Sequence, residues 1–261
     1  MIIMKADLEA AIKAVQEAGQ SLSLSFGKTD SLRSKSDSAA DVVTQLDIDT
    51  EKFIEEKLKQ HDPSIGFAGE ESGERKGVGR YWLLDPIDGT SHFIRGIPFC
   101  TTMLALVEDG QVVASVIYNF VTKELFTAQK GEGAQLNGNS IHVSERRLKE
   151  SYLFVESNLA NEKNLPTYVA LRKKTTIMQT INCGYEFGLI ASGKIEGRIC
   201  FDPYGADWDY AAGTLLVSEA GGVVTNIGKN SYDFTNHDFI ATNKVVYDEL
   251  THGTDALFPL K

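Results

Sequence analysis

One segment of the chain is dense in groups that do chemistry: Asp85-Pro86-Ile87-Asp88-Gly89-Thr90, directly after the apolar run Trp82-Leu83-Leu84. Two carboxylates stand at an expected strand end. Pro86 fixes its φ and lacks an N–H, which stiffens the loop. Gly89 and Thr90 fall where the first backbone N–H groups of a following helix have no carbonyl partner within it. Such N–H groups suit a phosphate. A hard cation such as Mg2+ takes carboxylate and carbonyl oxygens plus water and commonly bridges to substrate phosphate, so carboxylates beside a phosphate cradle form a coherent unit. The same letters also describe an Asx-type turn capping a helix, because Asp, Pro and Gly all favour turns.

Three further pieces accompany this segment. Gly69-Glu70-Glu71-Ser72 lies upstream, at a separation that lets a neighbouring strand bring Glu70 to the same sheet edge. Far downstream, Trp208-Asp209-Tyr210-Ala211-Ala212-Gly213 puts Asp209 at the head of a small-residue helix that can pack closely. Asp41-Val42-Val43-Thr44-Gln45-Leu46-Asp47 puts Asp47 on another helix. Taken together the four motifs resemble the inositol monophosphatase family of Mg2+-dependent, Li+-sensitive phosphatases, from about Lys35 to Asn243.

The resemblance implies roles for individual residues. Glu70, Asp85 and the Ile87 carbonyl correspond to ligands of a first metal ion, and Asp85, Asp88 and Asp209 to ligands of a second. The implied catalytic set is Asp47, Thr90 and Glu70: the first two help orient the water that attacks phosphorus in line, and a weaker third ion sits near Glu70. Gly89 and Thr90, beside Asp88, hold the phosphate oxygens, and Lys35 matches a mobile loop that helps bind metal and phosphate. Asp202 corresponds to an acid that accepts hydrogen bonds from substrate hydroxyls; otherwise it is a turn residue before Pro203. His92 neighbours the phosphate loop, where it contacts substrate or caps the local helix. Cys183 falls at the expected substrate rim, with a buried apolar role favoured over a nucleophilic one because no His-Asp pair accompanies it.

The implied fold is a layered αβαβα sandwich of the inositol monophosphatase and fructose-1,6-bisphosphatase type, and the implied assembly is a homodimer. The implied reaction is phosphomonoester hydrolysis of a small phosphorylated polyol such as inositol monophosphate, without a covalent phospho-enzyme. Two departures leave the substrate open. Ile181-Asn182-Cys183-Gly184 stands where inositol-specific relatives have Gly-Ser/Thr-Ala-Ala, and Ser91-His92-Phe93 where Thr-Asn-Phe is commoner. Arg95-Gly96-Ile97-Pro98 is closer to histidinol-phosphate phosphatases of the same family. A bisphosphate or nucleotide 3′-phosphatase is a further alternative within enzymes. From another class comes a regulatory interaction protein that keeps the fold and binds a macromolecule.

The elements that must position these groups fall into two parts. Apolar residues Leu8, Ile12, Val15 and Leu22 predict a helix over 5–25, stopped at Gly27, and a polar loop follows over 28–40. A second helix is expected over 44–60, ending before Pro63. Strands over 65–68, 81–84, 101–107, 111–119 and 124–128, with turns at Glu108-Asp109-Gly110 and Asn137-Gly138, predict a meandering, largely antiparallel sheet under two helices. Beyond a boundary near residue 146, strands over 152–155, 176–181, 195–201 and 239–242 alternate with helices over 161–172, 185–192 and 208–219. Residues 1–146 thus form an N-terminal α+β sub-domain and 147–261 a C-terminal α/β sub-domain that completes the site.

Composition bounds the rest. The 261 residues carry 26 Lys and Arg against 36 Asp and Glu, a net charge of −10 that leaves no basic footprint for nucleic acid or an anionic membrane. No run approaches a membrane span and no leader pattern opens the chain. Three cysteines without a CxxC pair fit a reducing cytoplasm. The five histidines are scattered, with no HxxxH or HExxH pair, so no histidine-built zinc site is expected. Acidity does not exclude a phosphate substrate: two Mg2+ would offset Glu70, Asp85, Asp88 and Asp209, because the ions set the local field.

Overall fold

The computed structural model describes residues 2–28, 33–34, 42–73, 79–180 and 182–261. The first helix runs over Ile2–Ser25 (α1) and stops at Gly27, whose φ of 69° is left-handed. Arg33–Ser34 (β1) pairs antiparallel with Val42–Val43 (β2). The next helix is Gln45–His61 (α2), started by a capping box in which Thr44 Oγ1 accepts the Leu46 N–H and Asp47 Oδ2 accepts the Thr44 N–H.

Seven strands then form one sheet in chain order: Gly66–Gly69 (β3), Arg80–Asp88 (β4), Thr101–Glu108 (β5), Gln111–Asn119 (β6), Glu124–Gln129 (β7), Gly133–Leu136 (β8) and Asn139–Ile141 (β9). Only β3 and β4 run parallel; the later pairs are antiparallel. The short helix Thr90–Arg95 (α3) follows β4. Both turns expected from Asp-Gly and Asn-Gly form, with positive φ at Asp109 and Gly110 and at Asn137 and Gly138, the combination that matches the twist of a tight hairpin.

The second half builds a five-stranded sheet from Tyr152–Glu156 (β10), Thr176–Gln179 (β11), Gly197–Cys200 (β12), Val223–Asn226 (β13) and Phe239–Thr242 (β14), ordered β11-β10-β12-β14-β13. Its helices are Leu165–Lys174 (α4), Gly184–Ala191 (α5), Asp207–Glu219 (α6) and Lys244–Thr251 (α7). The helix expected over 161–172 is divided: a 3-10 turn occupies Glu162–Asn164 and Pro166 opens the α-helix proper. Sequence reading missed β13 and α7. β13 spans four residues, and α7, eight residues long, opens at its Asn243 cap, whose Oδ1 accepts the Val246 N–H at 2.8 Å.

Strand alternation explains the layering. In β4 and β5, Tyr81, Leu83, Met103 and Ala105 face one apolar cluster while Trp82, Leu84, Leu104 and Leu106 face another, so the sheet is buried on both sides. Helices α1 and α2 cover the second side. On the first side lie α5 and α6, which also pack on the five-stranded sheet through Phe154, Cys200, Phe239 and Ala241. The far face of that sheet, with Leu153, Ile199 and Ile240, is covered by α4 and α7. Helices, sheet, helices, sheet, helices is the αβαβα sandwich. No helix among the described residues is long and apolar enough to cross a membrane.

Candidate active site

Residues three apart on a regular strand point to opposite faces, yet Asp85 and Asp88 belong to one group of carboxylates. The cause is an irregularity in β4: Asp85 pairs with Met103 and Asp88 with Thr101, so one extra residue is inserted between them at Pro86-Ile87. Pro86 contributes no ladder donor there, and its carbonyl accepts the Thr102 hydroxyl at 2.9 Å. Parallel pairing of β3 on β4 sets Gly69 opposite Leu84, and the Glu70 N–H donates to the Leu84 carbonyl at 3.1 Å. Glu70 thereby reaches Asp85, with which it shares a hydrogen bond.

Asp88 links the two sheets. Its Oδ1 accepts the Cys183 N–H at 3.0 Å, and its Oδ2 accepts the Gly184 N–H at 2.8 Å and the Thr101 hydroxyl at 2.9 Å. The first turn of α5 is thus tied to the end of β4 by a carboxylate at its positive end. Asp209 stands in the first turn of α6, where its Oδ2 accepts the Ala206 N–H at 2.6 Å. Among the described residues, ligand atoms of Asp88, Cys183 and Asp209 converge within 4.8 Å of one another.

Burial and mutual repulsion raise these acids. Asp85 is 2 % exposed and lies well above the ordinary carboxylate range, from desolvation first and then from the charges of Glu70, Asp88 and Asp209. Desolvation also raises Asp88 against its hydrogen bonds, and pushes Asp209 up to about 8. Asp85 Oδ1 is buried without a hydrogen-bond partner. Oxygen donors crowded in this way, one of them unsatisfied, fit a divalent hard cation.

Asp47 and Thr90 meet through their side chains. The Thr90 hydroxyl lies 2.9 Å from both Asp47 Oδ1 and the Ile87 carbonyl. Asp47 is fully buried, and its Oδ2 accepts from the Thr44 N–H and hydroxyl. Gly89 has a left-handed φ of 84°, and an added Cβ would meet the Phe99 carbonyl at 2.9 Å. His92 is half-buried with its Nδ1 unpaired, and desolvation lowers its pKa, so the ring is neutral near pH 7. Cys183 is buried, and desolvation drives its thiol well above the ordinary range, which disfavours a nucleophilic role. Asp202 is exposed at a φ of 53°, and its Oδ2 accepts from Asn161 at 2.9 Å and Asn164 at 2.8 Å. Lys35 and Ile181 lie outside the described residues.

Two supporting groups escaped sequence reading. Glu51, 3 % exposed on α2, accepts the N–H groups of Glu71 and Ser72, each at 2.8 Å, and so holds the turn that carries Glu70. Arg198, fully buried on β12, is paired with Glu156 and Glu186 and donates to Cys183 Sγ and Cys200 Sγ at 3.3 Å. Burial would raise Glu156, but the Arg198 charge, the Tyr204 N–H and the Tyr210 hydroxyl outweigh it and hold its pKa low. A signal existed: a charge inside an apolar strand run demands a partner.

A model of the inositol monophosphatase family matches residues 4–256. The chain belongs to the inositol monophosphatase family. Within it, the chain is 35 % identical to an inositol-1-monophosphatase of Rhizobium meliloti, covering 84 % of this chain and 85 % of that one. It is 30 % identical to the Nus factor SuhB of Escherichia coli over 96 % of both chains. Among solved structures, an IMPase of Thermotoga maritima superposes with a TM-score of 0.83 at 29 % identity, over 93 % of this chain and 94 % of that one. The extragenic suppressor protein SuhB of Bartonella henselae gives 0.81 at 33 % identity, over 92 % and 94 %.

Proposed function

We propose that the chain is a Mg2+-dependent phosphatase that hydrolyses a phosphomonoester of a small polyol, with inositol monophosphate as the first candidate. The observation that carries this reading is the crowding of Glu70, Asp85, Asp88 and Asp209 at the junction of β3, β4 and α6, with Asp85 Oδ1 unsatisfied. Glu70, Asp85 and the Ile87 carbonyl would hold one ion, and Asp85, Asp88 and Asp209 a second; a weaker third ion is assigned near Glu70. When bound, such ions supply Lewis-acid polarisation of the phosphoryl oxygens and lower the pKa of water.

The chain's own residues then divide the remaining work. Thr90, its hydroxyl held between Asp47 and the Ile87 carbonyl, has lone pairs left to accept from a water and so orients it toward phosphorus. Asp47 keeps that hydroxyl in place. The Gly89 and Thr90 N–H groups, at the left-handed Gly89, receive the phosphate oxygens, and Lys35 is assigned to metal and phosphate binding. His92 and Asp202 are assigned to the leaving alcohol, with Asp202 accepting from its hydroxyls. We assign residues 1–146 and 147–261 to two sub-domains that share the site, a homodimeric state and a cytoplasmic location.

Turnover with Mg2+ on inositol 1-phosphate, histidinol phosphate, fructose 1,6-bisphosphate, NADP and adenosine 3′,5′-bisphosphate tests the reading. Hydrolysis led by inositol 1-phosphate supports it; a lead for histidinol phosphate transfers the assignment to that alternative, favoured by Arg95-Gly96-Ile97-Pro98. Likeness to SuhB proteins over nearly the whole chain favours a second reading, a regulatory protein that binds a macromolecule. Silence across the panel with Mg2+ binding confirmed would select it.

A further inference from the structure

The group that converges with Asp88 and Asp209 includes a sulfur. Cys183 Sγ and one carboxylate oxygen from each acid lie within 4.8 Å of one another. Ligand atoms around a tetrahedral Zn2+, at about 2.3 Å for sulfur and about 2.0–2.2 Å for carboxylate oxygen, stand roughly 3.5 Å apart. The triangle therefore closes on such an ion by side-chain shifts of about an ångström. Asp85, buried and close enough to feel the charges of Asp88 and Asp209, has an Oδ1 without a hydrogen-bond partner.

Against its burial, one neighbour favours the sulfur as a ligand atom. Arg198 donates an N–H to Cys183 Sγ at 3.3 Å, leaving the S–H directed elsewhere, and the Arg198 charge is itself offset by Glu156 and Glu186. Cys183 is anchored at the entry to α5, with its N–H on Asp88, so the thiol is positioned before any ion arrives. Mg2+ has little affinity for sulfur and would use only the oxygens, whereas Zn2+, Cd2+ and Co2+ accept thiolate.

We propose that Asp88, Cys183 and Asp209 form a mixed sulfur–oxygen site for a thiophilic divalent ion, overlapping the Mg2+ position of the proposed phosphatase. Binding forms one metal–sulfur bond and breaks the S–H bond, with the proton released to solvent. The site rests on the cation-binding reading above and adds to it a competition: a thiophilic ion excludes Mg2+ from Asp88 and Asp209.

Co2+ is the probe. Titrated into the full-length, metal-stripped protein, it should produce a sulfur-to-cobalt charge-transfer band in the near ultraviolet, and excess Mg2+ should diminish it. Cys183→Ser should lose the band and bind Zn2+ about tenfold or more weakly, since even an outer partner of a metal ligand is worth that much. Direct calorimetry should find Mg2+ affinity in the same variant changed by less than about threefold, as expected for an oxygen-only ion. No band in the wild-type protein at saturating Co2+ overturns the proposal whatever the variants do. A band that survives in Cys183→Ser assigns the sulfur to Cys100 or Cys200 and also overturns it, as does a band indifferent to Mg2+. Mg2+-dependent turnover of the wild-type protein, measured separately, reports on the phosphatase reading alone: turnover without a band removes the thiol ligand and leaves the phosphatase.

Discussion

Asp209 is an acid whose burial costs the folded, cation-free chain stability. Its carboxyl is pushed from 3.8 up to about 8, and Asp85 moves in the same direction. Between those two values the folded chain holds a proton that the unfolded chain has released. The contribution is therefore fully present below about pH 4 and is lost as pH rises through about 8. In chelator, the thermal midpoint should fall between about pH 5 and pH 8.5, and Mg2+ should restore it more strongly at the upper end, because the ion replaces protons on the same oxygens. A midpoint that climbs with pH in chelator contradicts this account. Asp47 and Thr90 are joined at 2.9 Å, and the proposed mechanism uses them as one unit. Asp47→Asn and Thr90→Ala should each lower kcat by about 10²-fold or more, and the double variant should be little worse than either single one. Additive losses in steady-state kinetics would separate the two roles.

At the scale of elements, close packing sets the precision of the site. Gly69 ends β3 against the Glu51 carboxylate of α2, and a Cβ there would overlap it. Gly69→Ala should displace Glu51, release the Glu71 and Ser72 N–H groups, and raise the Mg2+ concentration for half-activation about tenfold, the usual effect of losing support behind a metal ligand. Glu51→Gln should reproduce part of the effect. Unchanged Mg2+ activation in both would assign Glu51 to stability alone. The legibility of these elements from sequence follows their length and punctuation. Strands β5 and β6 and helix α6 were readable because they are long, apolar and bounded by Asp-Gly or by an acid-rich first turn. The short β13 was not, because four residues carry little periodic signal, and α7 was passed over although Val246, Tyr247, Leu250 and Thr251 fall at helical spacing.

At the scale of the whole molecule, the seven-stranded and five-stranded sheets are held together through α5 and α6, and the Arg198 network lies where they meet. Arg198 joins β12 to Glu156 on β10 and Glu186 on α5, with Phe187 and Tyr210 against its guanidinium at 5.6 and 5.8 Å. Arg198→Met leaves two buried carboxylates facing each other and should cost about 3–5 kcal/mol of unfolding free energy. Chemical denaturation measures it, and a loss below about 1 kcal/mol would mean that water reaches the pair. Because Cys183 and Gly184 open α5 and hold Asp88, the same variant should weaken Mg2+ binding in whatever fraction remains folded.

The linear chain by itself determined the family resemblance, the strand and helix alternation and the identity of the clustered acids. These are local properties, carried by side-chain period, turn residues and short motifs. Asp85-Pro86-Ile87-Asp88 named two carboxylates, but only pairing with β5 decided that an inserted residue would turn both to one side. Asp209 was visible as the head of a small-residue helix, and only the stacking of α6 between the sheets brought it to Asp88. Glu51, Arg198 and the sulfur of Cys183 acquired their roles from partners distant in sequence. Their signals in the chain are single polar residues in apolar surroundings, and burial alone decides which partner satisfies each one.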